Sequence, residues 1–298
     1  MRLVRSLTLT RAHLEVIVAD NGLPENTRAR LAETGARVVT MEKNLGFGAA
    51  INRAASLART DVLVVLNDDI EPQSGFLEAL VAPIDDGAAM VAGVLLQELA
   101  PDLIETAGVE LDRTLAAADY LHNETVSRLE EAVRAPFGPS GGAAAYRLSA
   151  FLAVGGFDEN FFAYCEDVDL AIRLRAAGGT CALASRARAL HAGSGTLGYR
   201  SLAKANLVGF SRGYLLRKYG VLRHLRSAPA ALAIEAIAVL LLARRHHSLR
   251  PGIARVRGWR SCVVRASPPP RSEIAVDLLD AWRRRYVRAR MPASTAAS

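Results

Sequence analysis

The 298-residue sequence is poor in cysteine, almost without lysine, without a long apolar run, and short of acid in its last third. Three cysteines (Cys165, Cys181 and Cys262) are too few and too scattered for a disulfide framework. They form no CxxC and have no His at metal-ligand spacing, which excludes a structural zinc site and points to a reducing compartment. Only Lys43, Lys204 and Lys218 are lysine. The rest of the basic residues are Arg, a bias that fits a GC-rich genome better than any function. Residues 1–20 alternate basic and apolar positions and carry no continuous apolar segment or small-residue cleavage site, so no signal peptide is read. The most apolar stretch, Ala228 to Ala243, contains Pro229 and Glu235 and falls short of the roughly 20 residues a spanning helix needs. It reads as a buried or interfacial helix.

The scarcity of acid is regional. Residues 1–198 hold 17 basic and 26 acidic residues, a net of −9, whereas residues 199–298 hold 20 basic and 4 acidic, a net of +16. The overall +7 averages an acidic body and a basic extension. The basic helices lack interleaved exposed aromatics and a recognised binding motif, which argues against nucleic acid as a partner. With 51% hydrophobic residues the chain has ample apolar surface for a core, which excludes a disordered protein.

The pattern of elements is α/β. Strands are expected at 14–19, 36–41, 61–66 (DVLVVL) and 88–96, with helices at 24–34, 46–58 and 76–81 between them. That alternation predicts a mostly parallel sheet with flanking helices. Further strands are expected at 104–111, 143–146, 181–184 and 187–190, and helices at 148–154 and 166–177. From residue 199 the chain reads as helical, over 199–219, 228–243, 249–261 and 273–289, with a Pro-rich linker at 267–270. The expected organisation is a catalytic domain over 1–220, a helical extension over 221–265, and a linker, basic helix and disordered tail over 266–298.

Candidate site residues cluster where strands end, as ligand sites do in open parallel sheets. Asp20 closes one strand, and Asn67-Asp68-Asp69 closes another. Strand-end carboxylates beside a phosphate suit Mg²⁺ or Mn²⁺. They serve equally well as turn caps, and the two readings stand level. Asn44-Leu45-Gly46-Phe47-Gly48 opens a helix whose free N–H groups could receive phosphate, though an ordinary helix start is the simpler reading. Gly141-Gly142 is a turn, or backbone bared for a ligand. The richest segment is Gly155 to Leu170, GGFDENFFAYCEDVDL. Asp169 is explained by pairing with Arg173 four residues on. Glu166-Asp167, behind Phe161, Phe162 and Tyr164, is the pair that reads as functional, with the aromatics as a binding wall.

In this order, VIVADNG, NLGFGAAIN, VLVVLNDDIEP, GFDENFFAYCEDVDLAIRLRAAG and a lone His191 resemble the family 2 glycosyltransferases of GT-A fold, most of all a bacterial rhamnosyltransferase-like subgroup. The resemblance spans roughly residues 14–220. It implies an inverting, metal-dependent transfer from a nucleotide-diphosphate-sugar donor to the hydroxyl of a glycan or lipid-linked acceptor in cell-envelope synthesis. By the same resemblance Asp167 is the catalytic base and Glu166 orients it. Asp20, Asn44, Gly46, Asn67, Asp68, Gly141 and Gly142 serve the donor, and Asp69 and His191 hold a divalent metal (Mg²⁺ or Mn²⁺). Asn67 departs from the family's DxD motif by replacing its first Asp. The expected location is cytoplasmic, with peripheral contact to anionic lipid on the inner face of the plasma membrane. Family members carry a further apolar strand and a helix before the strand at 14–19, where this sequence has only Met1 to His13, and Arg2 to Leu9 reads as the remnant of that helix. The expectation is therefore a sheet lacking its first strand, with an exposed edge or a gap, and poor solubility. The competing function is a truncated, catalytically impaired homologue that only binds nucleotide-sugar or a partner.

Overall fold

The structure is a computed structural model that describes residues 3, 4, 7, 14–131, 134–192, 201–225 and 227–264. The helix expected at 273–289 and the linker before it lie outside the described residues. The chain opens with β1 (Ile17–Asp20), α1 (Glu25–Ala32), β2 (Arg37–Thr40), α2 (Phe47–Ala55), β3 (Val62–Leu66), β4 (Ile70–Pro72), α3 (Phe76–Asp85) and β5 (Met90–Gln97). An excursion follows through β6 (Ala100–Thr106), β7 (Val109–Leu111) and β8 (Ala117–Asp119). The chain returns as β9 (Ala143–Arg147), α4 (Leu148–Ala153), α5 (Glu166–Ala176) and β10 (Cys181–His191). It ends, within the described residues, in α6 (Leu202–Lys218), α7 (Ala228–His246) and α8 (Arg250–Arg260).

The α/β class stands, but the strand directions need correction. The main six-stranded sheet runs β3-β9-β5-β10-β4, with β6 paired to β5. Only β5 and β10 are parallel in it; β3–β9, β5–β9, β5–β6 and β10–β4 are antiparallel. The cause is β9. It comes back from the excursion in the reverse direction and inserts between β3 and β5, which a β-α-β pattern would have made neighbours. The expected strands at 181–184 and 187–190 are one strand with an irregularity between Leu183 and Arg188. The expected strand at 104–111 is interrupted, since Gly108 has φ +109° between β6 and β7.

The sheet is also split. β1 and β2 form a separate parallel ladder, from Ile17 opposite Arg37 to Asp20 opposite Thr40. Among the described residues no strand pairs with the second edge of β1 or of β3. Among the described residues the β1–β2 ladder and β3 are not joined by strand pairing, so Asp20 and Asn67 follow strands of separate ladders.

Cores lie on both faces of the main sheet. The AAAYR strand shows how period-two alternation feeds both: Ala143 and Ala145 join Leu80 and Ile84 of α3, whereas Ala144 and Tyr146 join Phe151, Phe157 and Phe161. The second cluster continues into Tyr214, Tyr219, Val221, Ala231 and Cys262, so the helical extension shares its core with the body. α7 departs from the buried alternative for Ala228–Ala243, since its sole buried residue is Ala231. No described helix is long and apolar enough to cross a membrane.

Candidate active site

Two loops are locked to each other by backbone fit. Gly46 (φ +88°) starts α2, and the Phe47 N–H donates to the Phe162 carbonyl at 2.9 Å. A β-carbon at Gly46 would stand 2.2 Å from that carbonyl oxygen, so only glycine allows the approach. One turn later Asn52 donates from Nδ2 to the Phe157 carbonyl (2.9 Å) and accepts the Phe157 N–H at Oδ1 (2.8 Å). The NLGFGAAIN and GFDENFF segments are thus two halves of one interface. On its other side the glycine loop is tied to β1: Asn21 accepts the Leu45 N–H (2.8 Å) and donates to Asn44 Oδ1 (3.0 Å).

Asp20 is fully buried and occupied. Its carboxylate accepts the N–H groups of Gly22 (3.0 Å) and Leu23 (2.6 Å) and pairs with Arg28. Burial opposes its charge, but the amides of Leu23 and Gly22 and the Arg28 guanidinium outweigh that and hold its pKa at about 2. Its place is that of a turn organiser and anion partner for Arg28.

Glu166 and Asp167 open α5, where the helix N-terminus favours a negative charge. They are preceded by Tyr164 and Cys165, both left-handed (φ 69° and 65°), conformations that cost on the order of 1 kcal/mol or more each. That backbone turn carries the chain from the aromatic segment into the helix. Asp167 accepts the Val168 N–H at Oδ1 (2.8 Å) and the Gly141 N–H at Oδ2 (3.2 Å). Burial raises both carboxyls. The neighbouring Asp167 charge adds to that at Glu166, which is pushed up to about 8. At Asp167 the Val168 and Gly141 amides work against that rise without cancelling it. Among the described residues, Glu166 Oε2 and the Tyr146 hydroxyl are buried without a hydrogen-bond partner.

Gly142, beside Gly141, reaches the other strand end. Its carbonyl accepts the Asn67 N–H (3.1 Å), and a β-carbon there would lie 3.4 Å from Asn67 Nδ2. Consecutive glycines therefore hold the Asp167 carboxylate and the Asn67-Asp68-Asp69 turn on one loop. Asp68 is exposed, and Asp69 turns inward. His191, the last residue of β10, stands beside β4 with its Nε2 3.2 Å from Asp69 Oδ1 and its Nδ1 2.8 Å from Glu105 Oε2. The two carboxylates raise the imidazole to about 10.

Asp69 Oδ1 and His191 Nε2 are both buried and, among the described residues, otherwise unpartnered. Their 3.2 Å separation matches adjacent ligands of one octahedral cation at about 2.1 Å from each. Among the described residues no cluster of three or more metal-ligating side chains converges on one point. The fit is therefore to a cation that takes its remaining ligands from phosphate and water. Ligation at Nε2 displaces the imidazole proton.

The remaining aromatics divide. Phe161 is fully buried, edge-on to Tyr214 at 4.8 Å, and belongs to the core instead of a binding wall. Phe162 is 41% exposed, and Tyr164 is partly exposed with Lys204 5.3 Å from its ring. Asp169 makes its expected pair with Arg173 (2.8 Å) but also joins Lys218 (2.5 Å) and Tyr219 (2.9 Å). Lys218 meets Asp158 as well (2.7 Å), so one buried ammonium clamps α6 to both ends of the GFDENFFAYCEDVDL segment. Sequence reasoning missed Glu105, Lys218 and Asn21. Glu105 and Lys218 lie far along the chain from the motifs they serve, and only Asn21, in the turn after β1, carries a local signal.

Residues 2–103 match the family model Glycosyl transferase family 2. Over that stretch the chain resembles the family 2 glycosyltransferases, and its fold is of the GT-A type. Within that class it is similar to N-acetylglucosaminyl-diphospho-decaprenol L-rhamnosyltransferase of Mycobacterium tuberculosis, 29% identical over 220 residues, covering 64% of this chain and 70% of that protein. Its fold is like that of a mannosyltransferase from Pyrobaculum calidifontis in complex with GDP-Man and Mn²⁺ (TM-score 0.53, 18% identity, 88% of this chain and 83% of that one). It is also like that of GalNAc-T7 with UDP, GalNAc and Mn²⁺ (TM-score 0.51, 15% identity, 68% and 44%).

Proposed function

We propose that the chain transfers a sugar, with inversion, from a nucleotide-diphosphate donor to a hydroxyl of a glycan or lipid-linked acceptor at the cell envelope. The observation that carries this is the Gly141–Gly142 loop, which binds Asp167 through one glycine and backs Asn67 through the next. Base and diphosphate sites are thereby held on one rigid element.

In this reading ionised Asp167 accepts the acceptor's hydroxyl proton as that oxygen bonds to the anomeric carbon. The bond from that carbon to the diphosphate breaks on the opposite face, and its electron pair leaves with the diphosphate. General-base assistance of this kind contributes roughly 10²–10⁴-fold. Glu166, carrying its proton, keeps the pair from holding two charges. Asp69 and His191 would hold Mg²⁺ or Mn²⁺, which when bound supplies positive charge for the leaving diphosphate. Asn44, Gly46, Asn67, Asp68 and Gly142 line the donor side, with Asp20 bracing the turn beneath it. The rhamnosyltransferase relative supports a deoxyhexose donor and a lipid-diphosphate acceptor, and the basic extension supports work on the inner face of the plasma membrane.

Asp167→Asn is expected to abolish transfer in a donor screen with metal while calorimetric nucleotide binding stays nearly intact. Normal turnover by this variant would sink the assignment. The split between the β1–β2 ladder and β3 favours the second reading, a homologue that binds donor without turning it over. Under that reading the wild-type chain itself shows donor binding and no transfer.

A further inference from the structure

α7 presents an apolar face to solvent over nearly its whole length. Leu232, Ile237, Leu240 and Leu241 are 45–61% exposed, with Ala233 and Ala236 between them on the same side. The opposite side is fixed by polar contacts. Glu235 accepts from Arg212 (2.7 Å) and Arg255 (2.8 Å), and Arg212 donates in turn to the Thr114 carbonyl (2.7 Å). The helix cannot roll to bury its leucines without breaking these bonds. α8 packs alongside and adds Leu249, Ile253 and Val256, all more than half exposed, which with Val239 line an open groove of about 510 Å³ between the helices. A contiguous exposed apolar surface of this kind marks an interaction site.

The charges around it are of one sign. Arg244 and Arg245 close the apolar stripe of α7, and Arg250, Arg257 and Arg260 stand out from α8. Between residues 199 and 264 the sole acidic residue is Glu235, already held by two arginines. A second copy of the chain would meet this face with the same positive rim, so self-association is opposed. An anionic lipid surface satisfies both features, with leucines entering the acyl boundary and arginine heads reaching the headgroups.

We infer that the α7–α8 face is a monotopic membrane-docking surface, lying in the interface of an anionic bilayer with its leucines inserted. The inference rests on the reading of a membrane-borne acceptor and supplies the surface that brings the active site to it. It also accounts for a helix of sixteen near-continuous apolar residues that is neither buried nor spanning.

The test is flotation of the full chain with vesicles of phosphatidylcholine alone or mixed with phosphatidylglycerol, at low and high salt. The wild type is expected to float with the anionic vesicles and to keep part of that binding at high salt. Leu240→Asp with Leu241→Asp should lower the partition about tenfold or more. Arg244→Ser with Arg245→Ser should remove the preference for anionic lipid while leaving the salt-resistant part. Ile237→Trp should shift its emission to the blue on adding vesicles. No flotation at low salt, or flotation unchanged by the leucine pair, overturns the inference. So does a wild type that sediments as a dimer without lipid while the leucine-pair variant is a monomer. Donor turnover with a soluble acceptor, measured on the same preparations, reports on the transferase reading separately, and the leucine-pair variant should leave it unchanged.

Discussion

Replacing Gly46 by Ala tests whether backbone fit, more than phosphate binding, is what the glycine loop requires. The residue sits at φ +88° and ψ 173°, a region in which a side chain costs about 1–3 kcal/mol. Its new methyl would also face the Phe162 carbonyl oxygen at 2.2 Å, so that carbonyl must retreat by about 1 Å to reach an ordinary C···O contact. The retreat breaks the Phe47 N–H to Phe162 hydrogen bond, worth about 1 kcal/mol. Together these give about 3 kcal/mol, or a fall in melting temperature of roughly 6–12 °C for a domain of this size. Two other glycines separate the contributions. Gly22 has φ +123° with nothing within 4 Å, so Gly22→Ala carries strain alone, about 1–2 kcal/mol. Gly48 lies inside α2, where Ala gains about 1 kcal/mol of helix propensity against a 2.8 Å approach to the Phe157 β-carbon. Thermal unfolding followed by circular dichroism should therefore place Gly46→Ala well below both. If Gly46→Ala melted together with Gly22→Ala, the packing argument would be refuted.

Three further outcomes follow from the same geometry. Glu105→Gln should weaken Mn²⁺ affinity in the presence of a nucleoside diphosphate by about 10-fold or more, because the carboxylate orients His191 through Nδ1; an unchanged calorimetric titration would remove Glu105 from that role. Asp158 is held at about 2 against an ordinary 3.8, since Lys218 and Asn160 outweigh the cost of its burial. A depressed carboxylate stabilises above its unfolded value and ceases to do so as pH falls through its folded one, so about 2 kcal/mol should disappear between roughly pH 4 and pH 2. Asp158→Asn should flatten that part of the denaturant-derived stability curve, and an unaltered slope would count against the clamp. Phe161→Ala should cost about 3–5 kcal/mol as a core deletion, whereas Phe162→Ala, on the exposed side, should cost far less; equal losses would contradict the division of the aromatic segment.

Much of the body was legible because its signals are local. A run such as VLVVL ending in NDD, or EDVDLAIRL ending in two glycines, encodes the element and its stop within a few residues. The β1–β2 ladder, α2, β3, α5 and the described helices α6, α7 and α8 accordingly lie close to their expected places. The pairing of Asp169 with Arg173 was local in the same way. The family resemblance marked Asp69, His191 and Asp167 as one site. The structure brings the first two together and links the third to them through Gly141 and Gly142.

Long-range pairing was not legible in that way. Whether β3 lies beside β5 or beside β9 depends on how a chain excursion of about fifty residues returns, and hydrophobic alternation within β9 is the same for either direction. Lys218 and Glu105 are ordinary charges on a helix and a strand until folding sets one between Asp158 and Asp169 and the other against His191. The fate of α7 is not encoded locally, for a similar reason. Its sequence determined an apolar helix interrupted by one acid, but burial depends on what surrounds that helix. Tertiary structure decided the matter by turning Glu235 toward Arg212 and Arg255, since an ion pair held on one side leaves the leucines on the other facing out.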